Sequence, residues 1–232
     1  MLPTAVYTDI GGRAVNEDCA RYVETGGGAL CLAVCDGLGG HGGGSVASRT
    51  AAELVCSRYA EGADLAALAQ EAHRAVRARQ SGGCAMMSTI ALLAVEGRLA
   101  RWAHVGDTRL YRFLDGELVF QSRDHSASQA AVLLGEITPE QIRFHPSRSR
   151  VLRALGQEGE LRVEQGSARL EAGQNAFLLC TDGFWEYVYE NEMAETLRRS
   201  SSPREWLERM RRYIAARAPR DNDNNTAAAV WA

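Results

Sequence analysis

Two apolar runs in this chain end in the same dipeptide: residues 29–35 lead into Asp36-Gly37, and residues 176–181 lead into Asp182-Gly183. A short apolar run closed by a turn dipeptide reads as a buried strand, so each delivers a carboxylate to a strand end. A third acidic cluster, Asp221-Asn222-Asp223-Asn224-Asn225-Thr226, precedes a short apolar tail, and a fourth, Asn16-Glu17-Asp18, lies near the start. Carboxylates gathered in a low-dielectric site need a cation to neutralise them, and four such clusters in one chain point to a shared metal centre. The donors are nearly all oxygens, which selects hard ions, Mg2+ or Mn2+.

A chain of 232 residues with no Pro/Ser-rich linker is expected to form one domain with a substantial core. Its formal net charge of -3 and scattered arginines form no basic stripe, which argues against nucleic acid as a partner. All 26 basic residues are arginine, so a P-loop lysine, a Schiff base and a lysine general base are excluded. The six cysteines (Cys19, Cys31, Cys35, Cys56, Cys84 and Cys180) lack zinc-type spacing and fall mainly in apolar segments, as reduced core residues would. No window approaches the roughly 20 apolar residues of a membrane span, and the N-terminus lacks a leader pattern, so a cytoplasmic location is expected.

The strand signals cluster and are joined by tight turns, which favours antiparallel sheets. Residues 89–95, 98–104, 108–113 and 117–121 read as one meander, with Asp115-Gly116 as a hairpin turn. Helical periodicity runs through residues 44–59, with Val46, Thr50, Leu54 and Val55 on one face, and through 63–79, with Leu65, Leu68, Ala72 and Val76. Capping-box spacing opens two further helices, at Ser202-Pro203-Arg204-Glu205 and at Thr138-Pro139-Glu140-Gln141. The second lies in a mixed stretch, about 126–156, read as a small helical insertion over the sheets. The fold class is α+β.

Asp36-Gly37 taken alone is an ordinary turn signal. The next seven residues, Leu38-Gly39-Gly40-His41-Gly42-Gly43-Gly44, are richer in glycine than a turn requires and lead straight into a helix, as a loop hugging a charged site would. Asp182 obeys the same logic and Asp223 supplies a third carboxylate. Two ions bridged by one carboxylate, for which Asp36 is the natural candidate, activate water to attack phosphorus in line. Phosphate-ester hydrolysis also needs a cation on the non-reacting oxygens, and Arg13, three residues before Asn16, offers the guanidinium fork suited to it.

Arg13-Ala-Val-Asn16-Glu17-Asp18, Val34-Cys35-Asp36-Gly37-Leu38-Gly39-Gly40-His41, Ser88-Thr89, Gly106-Asp107-Thr108-Arg109, Arg123-Asp124-His125-Ser126, Leu179-Cys180-Thr181-Asp182-Gly183 and Asp223-Asn224-Asn225-Thr226 together resemble the ordered motifs of the metal-dependent protein phosphatases (PPM, or 2C-type). The resemblance covers nearly the whole chain. It implies a four-layer αββα sandwich of two antiparallel β-sheets flanked by helices, a flap at about 126–156, a Mg2+/Mn2+ pair and serine/threonine phosphoprotein phosphatase activity. Carried over motif by motif, Asp36 bridges both ions and Gly37 offers its carbonyl to one. Asp182 and Asp223 complete the first ion's shell, Glu17 and Asp18 serve the second directly or through water, and Arg13 binds the substrate phosphate. Asp107 matches a position that, with Asp182, holds a third, weaker ion in bacterial members; its other reading is a strand-end turn residue.

One departure concerns the proton donor. Many eukaryotic members place histidine directly after Asp-Gly, whereas Leu38 stands here. His41 is either a donor or a cap of the glycine loop. His125 resembles a structural histidine, and His73, His104 and His145 show no ligand spacing. Arg148, Arg150 and Arg153 in the flap either meet acidic substrate segments or are simply solvated. Asp182-Gly183-Phe184-Trp185-Glu186-Tyr187 resembles the phosphatases that accompany type VI secretion systems, which would make the partners a threonine kinase and its forkhead-associated substrate.

Two rival functions compete with this one. A covalent-aspartate phosphatase needs a second aspartate two residues from the nucleophile, and Val34, Leu38, Cys180 and Phe184 occupy those places. A catalytically dead phosphoprotein-binding regulator on the same scaffold would normally have lost a metal carboxylate, and this chain retains them all.

Overall fold

A computed structural model describes residues 1–39, 43–80 and 86–232. His41 and Cys84 lie outside the described residues. In chain order the strands are β1 (Thr4–Asp9), β2 (Cys19–Glu24), β3 (Leu30–Cys35), β4 (Gly37–Leu38), β5 (Met87–Ser88), β6 (Ile90–Glu96), β7 (Leu99–Val105), β8 (Arg109–Leu114), β9 (Glu117–Gln121), β10 (Glu164–Arg169), β11 (Asn175–Cys180) and β12 (Asn225–Trp231). The helices are α1 (Gly43–Arg58), α2 (Leu65–Arg79), α3 (Ala127–Leu133), α4 (Asp182–Trp185), α5 (Glu190–Arg198) and α6 (Pro203–Arg217), with a 3-10 helix at Pro139–Phe144.

Two five-stranded antiparallel sheets, ordered β1-β12-β11-β8-β9 and β10-β7-β6-β3-β2, pack face to face. The period-two alternation of β3 explains its unbroken apolar run. Leu30, Leu32 and Val34 enter the core between the sheets with Phe177, Leu179, Ala228 and Val230. Cys31, Ala33 and Cys35 face the opposite way, against Ala47, Ala51 and Val55 of α1 and Ala69, Ala72 and Val76 of α2. β11 does the same on the other side, where Ala176, Leu178 and Cys180 meet Met193, Trp206 and Met210 of α5 and α6. A strand covered on both faces has no solvent side to mark with polar residues. The result is the expected helix–sheet–sheet–helix layering.

Three expectations are corrected. The meander breaks at Gly106–Thr108: β6 and β7 pair in one sheet, whereas β8 and β9 pair in the other. On α1 Thr50 and Val55 are buried as expected and Leu54 packs half-buried against the core, but Val46 is exposed, and the rest of the buried face is Gly43, Gly44, Ala47, Ser48, Ala51 and Ala52, because the helix approaches β4 and the sheet too closely for large side chains. Ser202 accepts a hydrogen bond from Glu205 N (3.2 Å), but Glu205 returns its carboxylate to Ser201 N (2.8 Å), so that box closes one residue early. At the other start, Thr138 N donates to Gln141 Oε1 (2.7 Å), as the box requires, and a six-residue 3-10 helix follows in place of an α-helix. Cys19, Cys31, Cys35 and Cys180 are buried free thiols, as expected.

Candidate metal centre

Four separate segments converge where β3, β11 and β12 expose one end of the sandwich. Asp36 follows β3, Asp182 opens α4 directly after β11, Asp223 precedes β12, and Arg13 to Asp18 lie between β1 and β2. Their mutual placement is fixed by hydrogen bonds that run between the segments. Asn224 Oδ1 accepts from Glu17 N (2.8 Å), while its Nδ2 donates to the carbonyls of Ile10 (2.7 Å) and Val15 (3.1 Å). The Glu17 carbonyl accepts from Gly37 N (3.1 Å) and from the Ser48 hydroxyl (2.5 Å). Thr181 Oγ1 donates to Asp18 Oδ2 (2.9 Å) and accepts from Thr226 N (3.0 Å). Asp36 N donates to Thr89 Oγ1 (3.1 Å), and that hydroxyl lies 2.5 Å from Thr108 Oγ1, beside Asp107.

The resulting cleft, of about 630 Å³, is lined by Arg13, Glu17, Asp36, Gly37, Asp107, Asp182 and Asp223, with Ser149 and Val151 contributed by the flap. Asp18 is not on this wall; it stands behind it, held by Thr181. The flap is pinned to the segment after Asp182: Arg143 bonds the Glu190 carboxylate (2.6 Å) and the Trp185 carbonyl, and Arg148 pairs with Glu186 (2.6 Å). Arg148 is therefore engaged within the chain, while Arg150 is exposed and Arg153 half-buried.

The electrostatics are those of a cation site. One carboxylate oxygen each of Glu17, Asp18, Asp107 and Asp182 is buried with no hydrogen-bond partner. Orphaned buried acceptors are rare, since each forgoes a hydrogen bond it had in water. Burial, reinforced by Asp182 and Asp223, pushes Asp18 up to about 7 from an ordinary 3.8, and burial with Glu186 and Asp223 takes Asp182 to the same value. Asp36 is raised by burial and by Asp18 and Asp182, and Asp107 by burial and by Asp182. Oxygen donors without protein partners, in a field that resists ionisation, fit hard divalent cations.

These directions fix the sign of the effect on stability. A carboxyl raised in the folded state contributes stability that is complete below about 3.8 and is lost as pH rises through about 7. The protein in EDTA is therefore expected to melt at a lower temperature at pH 8 than at pH 6, and Mn2+ should raise the melting point more at pH 8. Differential scanning fluorimetry at the two pH values reads both effects; equal Mn2+ shifts would contradict the assignment.

A different trio of metal-type ligand atoms, from His104, His125 and Glu164, lies within 4.8 Å of one another. Spacing in the sequence does not show it, because β7, the loop after β9, and β10 supply the three. Its geometry does not suit an ion. Gly106 N–H donates to His125 Nδ1 (3.1 Å), which places that ring's proton on Nε2, facing Glu164 at 3.3 Å. His104 Nε2 is held by the Arg123 carbonyl (2.8 Å), and the two rings stack at 7° with centroids 4.8 Å apart. Lone pairs in two parallel ring planes do not converge on one point. His104 and His125 pack and position the loop.

Among curated proteins, the chain is 36% identical over 202 residues to the serine/threonine protein phosphatase PstP of Mycobacterium tuberculosis, covering 80% of this chain but only 36% of that protein's length. The protein phosphatase PhpP of Streptococcus pneumoniae is 25% identical over 208 residues, covering 84% of this chain and 83% of PhpP. Among solved structures, serine/threonine phosphatase Stp1 from Staphylococcus aureus superposes with a TM-score of 0.85 at 26% identity, over 99% of this chain and 94% of that one. The catalytic domain of PstP in complex with two manganese ions gives 0.80 at 28%, over 99% and 98%. PppA, a regulatory component of the type VI secretion system of Pseudomonas aeruginosa, gives 0.78 at 29%, over 98% and 96%. Seven motifs in order, the two-sheet sandwich and a model for protein phosphatase 2C that matches residues 8–222 agree: the chain belongs to the protein phosphatase 2C family.

Proposed function

We propose that this chain is a metal-dependent serine/threonine phosphoprotein phosphatase, working as one domain over residues 1–232. The observation that carries this reading is the unpartnered carboxylate oxygens of Glu17, Asp107 and Asp182, which come from separate segments onto one cleft that has a guanidinium at its rim. Asp36 would bridge a pair of Mg2+ or Mn2+ ions and the Gly37 carbonyl would serve one of them, with Asp182 and Asp223 completing the first ion's shell and Glu17 and Asp18 serving the second directly or through water. Asp107 with Asp182 would hold a third, weaker ion. When bound, such ions make water a nucleophile at neutral pH and neutralise charge on a transferring phosphoryl group.

Arg13 pairs with Asp223 at 2.9 Å, and both side chains are about half exposed (55% and 47%). An exposed pair is weak, so the guanidinium is free to turn its fork to a substrate phosphate. Leu38 follows Asp36-Gly37, so the position that carries histidine in eukaryotic members supplies no proton donor to the leaving oxygen here.

The finer reading is that the substrate is a phosphothreonine protein opposed by a kinase in type VI secretion, the substrate being a forkhead-associated protein in the cytoplasm. It is supported by the Asp182 to Tyr187 phrase and by the likeness to PppA. No helix among the described residues is long and apolar enough to cross a membrane.

The test is hydrolysis of p-nitrophenyl phosphate and a phosphothreonine peptide. Activity should require Mn2+ or Mg2+ and vanish in EDTA. Arg13→Ala should lower kcat/KM by about 10- to 100-fold, as expected for loss of a charge-assisted hydrogen bond. Phosphopeptide binding without hydrolysis at saturating Mn2+ would instead identify a binding regulator on this scaffold.

A further inference from the structure

Within the phrase Asp182-Gly183-Phe184-Trp185, only Asp182 lines the cleft. Trp185 is fully buried and is not part of the cleft wall. Its indole Nε1 donates to the main-chain carbonyl of Asp107 (2.9 Å). Its ring face is covered by the Arg109 guanidinium, 3.6 Å from the centroid. Arg109 is in turn locked by a two-pronged bond to Asp124 (2.8 and 2.7 Å) and a bond to the Tyr111 hydroxyl (3.2 Å).

Asp107 sits in the bend where the chain leaves one sheet for the other. Gly106 is held by His125 and Thr108 by Thr89, but the bond from Trp185 acts on Asp107 itself. Asp107 is 2% exposed, and its Oδ1 has no partner. It lines the same cleft as Asp182, which stands three residues before Trp185 in the same helical turn. Two like charges in a low-dielectric cleft separate unless their backbones are tied. The turn that presents one of them also carries the tie to the other.

We propose that Trp185 is a positioning residue of the hydrolytic centre: by anchoring the Asp107 carbonyl to the Asp182 turn, it sets the spacing of these two carboxylates and so the affinity of the weakest cation site. This rests on the reading of the cleft as a metal centre, in which Asp107 and Asp182 share an ion.

The test is titration of the purified full chain with Mn2+, with free ion counted by electron paramagnetic resonance. Trp185→Phe keeps an aromatic face for Arg109 and removes the N–H donor. It should weaken the weakest class of Mn2+ sites about three- to tenfold, the effect of one buried hydrogen bond, and leave the tighter class unchanged. Asp107→Asn should abolish the weak class, and the double variant should match Asp107→Asn alone. If Trp185→Phe does not fold, benzothienylalanine at position 185, which replaces only the N–H with sulfur, carries the test.

A variant isotherm identical to wild type, equal weakening of all classes, or no weak class in the wild type overturns the proposal. Failure of the underlying reading looks different: the wild type binds no Mn2+, or Asp36→Asn binds it as wild type does.

Discussion

Asp36→Asn and Asp182→Asn should each lower kcat on a phosphomonoester by about a thousandfold or more at saturating Mn2+, while in EDTA at pH 8 both should melt no lower than wild type. The two halves of this result have one cause. Asp36 and Asp182 lie at the ends of β3 and β11, where burial and neighbouring carboxylates oppose ionisation. Asp36 is raised by burial and its acidic neighbours, and Asp182 reaches about 7 for similar reasons. Asparagine is nearly isosteric and removes one of the repelling charges, so the metal-free fold loses nothing electrostatically. On the proposed assignment, the same change removes a bridging or terminal anionic ligand on which cation binding would depend. A buried charge kept for structure would behave oppositely, since losing it would strand a partner and lower the melting point. Kinetics in Mn2+ and melting in EDTA thus separate the two roles, and full activity in both variants would end the two-metal reading.

The parts of this arrangement that were legible in the sequence are those fixed by local chemistry. β3 and β11 could be read because strands covered on both faces are apolar throughout, and the Asp-Gly after each marks where that cover stops. Helix α2 was legible because Leu65, Leu68, Ala72 and Val76 form one buried face behind the Asp64 cap, which accepts from Ala66 N (2.9 Å). β10, with the sequence Glu-Gln-Gly-Ser-Ala-Arg, was not, because a half-exposed edge strand needs no apolar alternation. The change of sheet at Gly106–Thr108 was hidden because a bend between two strands looks the same locally whether they pair or part.

Site residues divided in the same way. The acid clusters that hold Glu17, Asp36, Asp182 and Asp223 stood out locally and Asp107 only through the family resemblance, whereas Asn224, Thr181, Thr89 and Trp185 act across the fold. The bond from Glu17 N to Asn224 Oδ1 spans 207 residues, and no local pattern carries that information. Thr89 and Thr181 fell inside motifs that carry the family resemblance, but their work of tying Asp36 to the Asp107 bend and Asp18 to β12 emerged only from the geometry.

Gly37→Ala and Gly183→Ala should each destabilise the protein by about 2–4 kcal/mol, with loss of most Mn2+-dependent activity, whereas Gly26→Ala should stay within about 0.5 kcal/mol of wild type. Neither Gly37 nor Gly183 has the positive φ that would make glycine conformationally obligatory. What excludes a side chain is space. A Cβ on Gly37 would stand 2.2 Å from the Gly44 carbonyl oxygen and 2.6 Å from that of Glu17, and one on Gly183 would stand 2.1 Å from the Asn224 carbonyl oxygen. All three are backbone atoms, so no rotamer change relieves the overlap. The segments themselves must part: β4 from the start of α1 and from Glu17 in one variant, and the Asp182 turn from the Asp223–Asn224 segment in the other. At Gly26, by contrast, a Cβ meets nothing within 4 Å. Urea unfolding of the three variants, paired with Mn2+ titration, reads both consequences. If Gly37→Ala or Gly183→Ala proves as benign as Gly26→Ala, the carboxylates are not held by these backbone contacts. If they lose stability and Mn2+ affinity together, the glycines after the two aspartates exist to let acid-bearing segments approach more closely than any side chain allows.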